Sequence, residues 1–457
     1  MFCLQKEPSA ASISNYPLAS LQELWWLSLP AILMLFSGSL MSFCDRLFLT
    51  HDSLASLEAC VNASFLSLAF QMCLMYWTGM AQVFVGQCIG AGQLQRVGSY
   101  VWQMVWLSLF SMGITLPLSS LAEYIFFRGT LIEEQGGIYF RCLMAWNFLF
   151  PLGAALSSFY LGRGKVLRIL WATIAVNLLN IILDPLLIFG IPGWTPHLGI
   201  LGAALATCIA QGAFCVMLFI PFLSKKNREI YGTGAFQIRK QVWWQSFKIG
   251  LPRSLTKLII MSAWLANYRL MTLKGGDFLL VLSVTTTLNC LFSFIHDGMS
   301  KGITTIASFI IGKRDFQMIA RLTRSSFFFL ICSAAIIFIP CFICPRLLLS
   351  IFFLHSLNPD QVDLIVQAMH GLWVFVVVYG VNQIAFALLF SLGDTLFTML
   401  YNLFSSWPLS HFTLMIALQL GNCSADKFYF ILSIGTIVNA GVYFIRFRTK
   451  NWKSLVA

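Results

Sequence analysis

Apolar residues along this chain come in runs of about twenty, separated by short clusters of Gly, Pro, Asn, Lys and Arg. A helix needs about that length to cross roughly 30 Å of hydrocarbon. Twelve runs are legible, near 23–48, 57–81, 97–121, 138–161, 168–191, 199–223, 246–272, 278–305, 322–345, 364–391, 396–420 and 427–445. Helices are expected for all twelve, because an open sheet edge in lipid leaves backbone N–H and C=O groups without partners. The expected fold is an all-α polytopic membrane protein with twelve transmembrane helices. No polar segment is long enough to form a separate soluble domain.

Composition agrees with the pattern. The chain has 457 residues, 58% of them hydrophobic and 10% charged, against roughly 25% charged in soluble domains. The net charge of +12 does not imply nucleic acid, because the basic residues sit in short clusters between the apolar runs. Nineteen of the 29 fall on one side, in clusters beginning at Lys6, Arg96, Arg163, Lys225, Arg239, Lys313 and Arg446; five, Arg46, Arg128, Lys274, Arg346 and Lys427, fall on the other. The positive-inside bias then places both termini in the cytoplasm, in a multi-pass protein of the cell (inner or plasma) membrane. The N-terminus lacks the short apolar core and cleavage site of a signal peptide, and no processing is expected. The 13 cysteines lie mostly within apolar runs. The lone Cys341-Phe342-Ile343-Cys344 lacks the second pair that a zinc site needs.

The longest basic loop falls near the middle and divides the runs six and six, which suggests an internal repeat. Ser28-Leu29-Pro30 is matched by Gly250-Leu251-Pro252, and Ile89-Gly90 by Ile311-Gly312, both at an offset of 222 residues. Gly79-Met80 recurs as Gly298-Met299, and Gly164-Lys165 as Gly393-Asp394. The domains expected are a six-helix bundle over 1–223, a basic cytoplasmic linker over 224–245, and a second bundle over 246–457. Parallel repeats of this kind form two bundles related by a pseudo-twofold axis along the membrane normal, with a substrate site between them.

Ionisable residues inside a membrane are costly and are functional candidates by default. Asp184 lies deep in the fifth run, and Asn177, Asn180 and Asp184 at i, i+3 and i+7 share one helical face. Pro185 removes a backbone donor and leaves a carbonyl available. The plainer alternative is that these polar groups only join helices. Asp45, late in the first run, is a second carboxylate, whose plainer alternative is a pair with Arg46. Its repeat counterpart is Asn267 and that of Asp184 is Thr413, so the acids are peculiar to the first half. The second half instead carries Arg253 and Lys257, and Asp297 and Lys301, each pair at i, i+4. Asp297 and Lys301 either pair with each other or help to form a basic wall favouring anionic or zwitterionic substrates; long basic side chains can also snorkel to the interface.

In order along the chain, these motifs resemble the multidrug and toxic compound extrusion (MATE) family, within the wider multidrug, oligosaccharidyl-lipid and polysaccharide exporter group. The resemblance rests on Ser28-Leu29-Pro30 with Asp45, on Gly86-Gln87-Cys88-Ile89-Gly90-Ala91-Gly92, and on the stretch from Asn177 through Asn180, Asp184-Pro185 and Gly190. It continues through Leu198-Gly199, Gly202, Thr207 and Gln211, with Ile249-Gly250-Leu251-Pro252 and Leu392-Gly393-Asp394-Thr395 in the second half. It implies a coupling-ion site at Asp45, Asn180, Asp184 and Thr207, with Tyr139 beside it. Two nearby carboxylates in low dielectric cannot both ionise cheaply, so one holds a proton; equally, their hard oxygens suit Na+. Ile260 and Tyr379 stand where some members carry second-half acids, so no sodium site is expected there.

The function expected is secondary antiport, exporting small lipophilic cationic compounds in exchange for H+ or Na+ by alternating access. The alternative is a flippase or exporter of a lipid-linked or anionic substrate that uses Arg253, Lys257, Asp297 and Lys301. No catalytic residue, metal or cofactor beyond the coupling ion is expected. The partners are the bilayer and a small-molecule substrate, not nucleic acid, with the chain working as a monomer. Gly298-Met299-Ser300-Lys301-Gly302 fits the GxSxG nucleophile pattern, but that elbow needs a strand-to-helix turn. Ser254-Leu255-Thr256-Lys257 fits SxxK without that enzyme class's other motifs. An intramembrane hydrolase would need Ser300 and His296 together.

Overall fold

A computed structural model describes residues 13–191, 193, 196–352, 358–420 and 424–449. The N-terminal stretch read as unprocessed, with Lys6, and the last basic residues, Lys450 and Lys453, lie outside these. Every expected span is helical. In chain order they are α1 (Leu21–Asp52), α2 (Leu54–Gly90), α3 (Leu94–Phe127), α4 (Glu133–Ala145 with Leu149–Gly162), α5 (Val166–Ile188) and α6 (Ile200–Phe222). The second six are α7 (Lys240–Lys274), α8 (Gly276–Lys313), α9 (Gln317–Ile343), α10 (Pro359–Ser391), α11 (Thr395–Phe404, Ser405–Phe412 and Thr413–Leu420) and α12 (Ala425–Thr449).

Among the described residues, nine of these are long and apolar enough to cross a membrane as they stand, and α4 is a tenth, bent by 42° at its break. The other two are interrupted in chemistry or geometry. α7 carries Lys248, Arg253, Lys257 and Arg269 along its length. α11 passes through a π-helical turn over Ser405–Phe412 that contains Pro408. Pro lacks the N–H that an α-helix needs at that position, and a widened turn absorbs the defect. Pro340 lies in the equivalent widened turn at the end of α9.

The chain sorts into two compact units, residues 33–254 and residues 1–32 with 255–457. Both divisions fall within helices, two residues beyond Pro30 in α1 and Pro252 in α7. The repeat boundary in the basic linker and these packing boundaries are thus different features of the chain.

Within each unit small residues allow close helix contacts, and many large apolar ones face outwards. Ala59, Ala63, Ala203 and Ala204 are fully or almost fully buried, whereas Leu118, Leu121 and Ile125 of α3 are about half exposed or more. That inversion suits lipid, where close backbone approach rather than hydrophobic burial holds helices together. The glycines of the GxSxG pattern belong to this scheme. A Cβ on Gly302 would meet Leu24 at 3.3 Å, and one on Gly298 would meet the Ile32 backbone nitrogen at 2.9 Å. Both lie inside continuous α8, where their role is to let α1 approach.

The basic loop does not hang free. After a short helix (Lys225–Tyr231) it runs along α3, whose side chains hold its backbone. Trp102 donates to the Thr233 carbonyl (2.7 Å), Trp106 to Phe236 (2.8 Å) and Gln103 to Gln237 (3.1 Å), while Gln103 accepts from the Arg239 N–H (3.3 Å). Gly98 lets the two backbones touch: a Cβ there would sit 2.7 Å from the Thr233 Cα. Gly98→Val is therefore expected to lift the strap from α3. Limited trypsin digestion of the purified protein should cleave within 225–240 at least several-fold faster than in wild type; an unchanged rate would show that the strap holds without this contact.

Candidate functional site

The site is built on α5, whose apolar sequence is broken on one face by Asn177, Asn180 and Asp184. Pro185 follows inside the helix and deprives the Ile181 carbonyl of its helical donor. Asp184 and Asn180 are fully buried, and Asp45 of α1 is half-buried. The carboxyl groups of Asp45 and Asp184 lie within hydrogen-bonding reach of each other. Two ionised carboxylates have no hydrogen to share, so the approach is favourable only with a proton between them or a cation against them. Apart from this approach, Oδ1 of Asp45, both oxygens of Asp184 and both amide atoms of Asn180 are buried without a hydrogen-bond partner. Leaving so many polar atoms dry and unmatched is costly.

The neighbours divide into those that join this group and those that do not. Asn177 is turned aside, donating to the Ser37 hydroxyl at 2.7 Å, and so joins α5 to α1. Tyr139 of α4 is 4% exposed, accepts from Ser64 at 3.2 Å and lies within reach of the Asp45 charge. Cys60 lies beside them, 3.7 Å from Ser64 and also within the field of Asp45; no sequence signal marked it. Thr207 of α6 donates to its own Ala203 carbonyl at 3.1 Å, and no hydrogen bond joins it to the carboxyl pair. Arg46 is exposed, and its charge acts on Asp45 from the next position in α1. The donors are all oxygen, which suits a proton or a small hard cation. Among the described residues no group of three or more His, Cys, Asp and Glu could hold a metal ion.

The matching positions of the second half look different. Asn267, the counterpart of Asp45, donates to Ser410 at 3.1 Å and is bonded to His411 at 2.9 Å. A neutral, matched set therefore stands where the first half has unmatched carboxyls. Elsewhere in that half, Asp297 accepts from Tyr379 at 2.7 Å and from Gln383, which also donates to the Tyr379 hydroxyl at 2.6 Å. Tyr379 of α10 thus serves as a donor to an acid on α8. The hydrogen bond of buried His296 goes to Ser333 at 3.2 Å, so Ser300 is not its partner through that nitrogen. In the other unit, Arg253 lies 5.3 Å over the ring of Tyr76.

Comparison with known proteins agrees with this architecture. The MatE family model matches twice, over residues 30–186 and 255–416, once in each half. The chain is 24% identical over 399 residues to the probable multidrug resistance protein NorM of Thermotoga maritima, covering 84% of this chain and 83% of that one. It is 25% identical over 260 residues to multidrug and toxin extrusion protein 1 of Oryctolagus cuniculus, covering 53% of this chain and 42% of that one. In fold it is similar to a MOP superfamily transporter from Pyrococcus furiosus, described as having a binding pocket of reversed polarity, with a TM-score of 0.84 and 18% identity over 99% of this chain and 100% of that one. Likeness to a multidrug resistance MATE transporter in its outward-facing conformation is equally high, with a TM-score of 0.84 and 18% identity over 99% of each chain. With the model matched in both halves and the twelve helices in the expected order, the chain belongs to the MatE family of membrane transporters.

Proposed function

We propose that this transporter is a secondary antiporter that exports small lipophilic compounds by alternating access, coupled to the entry of H+ or Na+ at Asp45 and Asp184. The carrying observation is the pair of facing carboxyls, with buried Asn180 beside them and no other partner for their inner oxygens. Such a group gains most when a cation or proton arrives, and a coupling ion needs that differential. Tyr139 lies within reach of the Asp45 charge, and Asn177 fixes α5 against α1. The multidrug resistance named for a relative at 24% identity supports the substrate class. Thr207 is a weaker member of the set, since its hydroxyl is already engaged.

Proteoliposomes containing the purified chain test this directly. A fluorescent organic cation should move under an imposed pH gradient or an imposed Na+ gradient, at a rate roughly tenfold or more above empty vesicles, and the effective gradient names the ion. Movement under neither would reject cation antiport of such compounds. The alternative reading, an anionic or lipid-linked substrate drawn to Arg253, Lys257 and Lys301, would then be assayed in the same vesicles.

A further inference from the structure

The start of α7 and the strap before it form a surface that ion coupling does not use. Between Leu223 and Gly250 the chain holds six basic residues, Lys225, Lys226, Arg228, Arg239, Lys240 and Lys248, against one acid, Glu229. Lys240, Trp243, Trp244, Phe247 and Lys248 follow at i, i+3, i+4, i+7 and i+8, so the first turns of α7 present one face with aromatic rings between two lysines. Phe110, Ile238, Lys240, Trp243 and Trp244 line a groove of about 330 Å³. Its rings are interlocked: Trp243 meets Phe110 edge-on at 6.2 Å, and Trp244 stacks on Phe247 at 5.7 Å. Lys248 lies 5.4 Å over the Trp244 ring. Trp244 is 55% exposed, Phe110 55% and Ile238 51%.

Large aromatic side chains this exposed, beside ammonium groups, suit neither bulk water nor the hydrocarbon centre. They suit the boundary, where rings sit at headgroup level and lysines reach phosphate. We propose that this groove is a binding site for an anionic phospholipid, with Lys240 and Lys248 on the headgroup phosphate and the upper acyl chain against Trp243, Trp244 and Phe110. Charge selects the class: a zwitterionic headgroup gains little from a segment with five more basic than acidic residues, whereas an anionic one gains with each lysine near the surface. The apolar lining selects a lipid over a free phosphate, which has nothing to place against two indoles. The strap fixes the groove, because Ile238 lies between backbone positions held by Gln103.

Photoactivatable phosphatidylglycerol and photoactivatable phosphatidylcholine, each diluted into nanodiscs holding the full chain, test the proposal. Peptide mapping should find the glycerol lipid attached within 236–248 at roughly tenfold the yield of the choline lipid. Lys240→Gln with Lys248→Gln should reduce that yield to the choline level. Both lysines are exposed, so size-exclusion and thermal unfolding profiles should match wild type. Trp243→Leu should weaken attachment of both lipids. Equal labelling by the two lipids, labelling unchanged in the double variant, or labelling prevented by free glycerol phosphate present during irradiation would each overturn the site.

Discussion

Asp184→Asn is expected to reduce gradient-driven transport to the level of empty vesicles, a fall of roughly tenfold or more, while the protein stays folded. A coupling ion can shift a conformational equilibrium only by as much as its affinities for the two states differ. The amide has nearly the shape of the carboxyl and can donate to Asp45, so the facing arrangement survives. What it loses is the second negative charge, and with it the affinity for a proton or cation. Stability should hold or rise, because a buried acid is costly without full matching and both Asp184 oxygens are unmatched apart from the approach of Asp45. The measurement pairs vesicle transport with melting temperature in detergent. Coupled transport at the wild-type rate would remove Asp184 from the ion site. Loss of transport together with a collapse in melting temperature would instead assign it a structural role.

The largest expected effect on stability is at Gly202, near the start of α6. A Cβ there would meet the Ile188 nitrogen at 2.8 Å and come closer still to the Leu187 carbonyl group. These are backbone atoms of α5, so no side chain can turn away to make room. The end of the connection is tied back to α5: the N–H of Leu198 donates to the Leu187 carbonyl at 3.2 Å, and that of Gly199 to Ile188 at 3.0 Å. Gly202→Leu should therefore push α5 and α6 apart and cost about 3 kcal/mol, the upper end for overpacking. It should also displace Asp184, less than one turn before Leu187, and so lower transport. Gly441→Ala in α12 is the control. Nothing lies within 4 Å of its added Cβ, and replacing an open helical Gly with Ala should be neutral or stabilising by up to about 1 kcal/mol. A melting temperature unchanged in Gly202→Leu would show that the α5–α6 contact can relax.

The helices were legible because a membrane imposes one constraint on all of them, a run of apolar residues of fixed length. Their ends were less so. The run at 278–305 became a helix over Gly276–Lys313, since the hydrocarbon thickness limits the apolar core of a helix and not its polar extensions. The widened turns at Pro340 and Pro408 also escaped notice, because a proline shows that a hydrogen bond is missing but not how the backbone adjusts. At the site, Asp45 and Asp184 stood out as charges among apolar residues. Cys60 and Gln383 did not, since a thiol or an amide inside a span is too common to mark a position. Asp297 had two readings in the sequence, a pair with Lys301 or part of a basic wall; its hydrogen bonds to Tyr379 and Gln383 depend on which helix faces α8, which one sequence does not reveal. The strap was hidden for another reason. Its bonds end on backbone carbonyls and one N–H, and the backbone has no letter in the sequence.

The strap also determines where the chain can be interrupted. A central loop between two halves is the usual choice for a fluorescent reporter or an affinity tag, on the premise that its length is slack. Here the carbonyls of Thr233, Phe236 and Gln237 and the N–H of Arg239 are engaged by α3, so inserted sequence would separate donors from acceptors rather than lengthen a spare tether. Tolerance to insertion follows backbone bonding and burial, not distance from the middle of the chain. The turn between α3 and α4 is better suited. Leu131 there is completely exposed, and Gly129 already occupies a left-handed conformation (φ +75°), so a tag at that tip has fewer packed neighbours to displace.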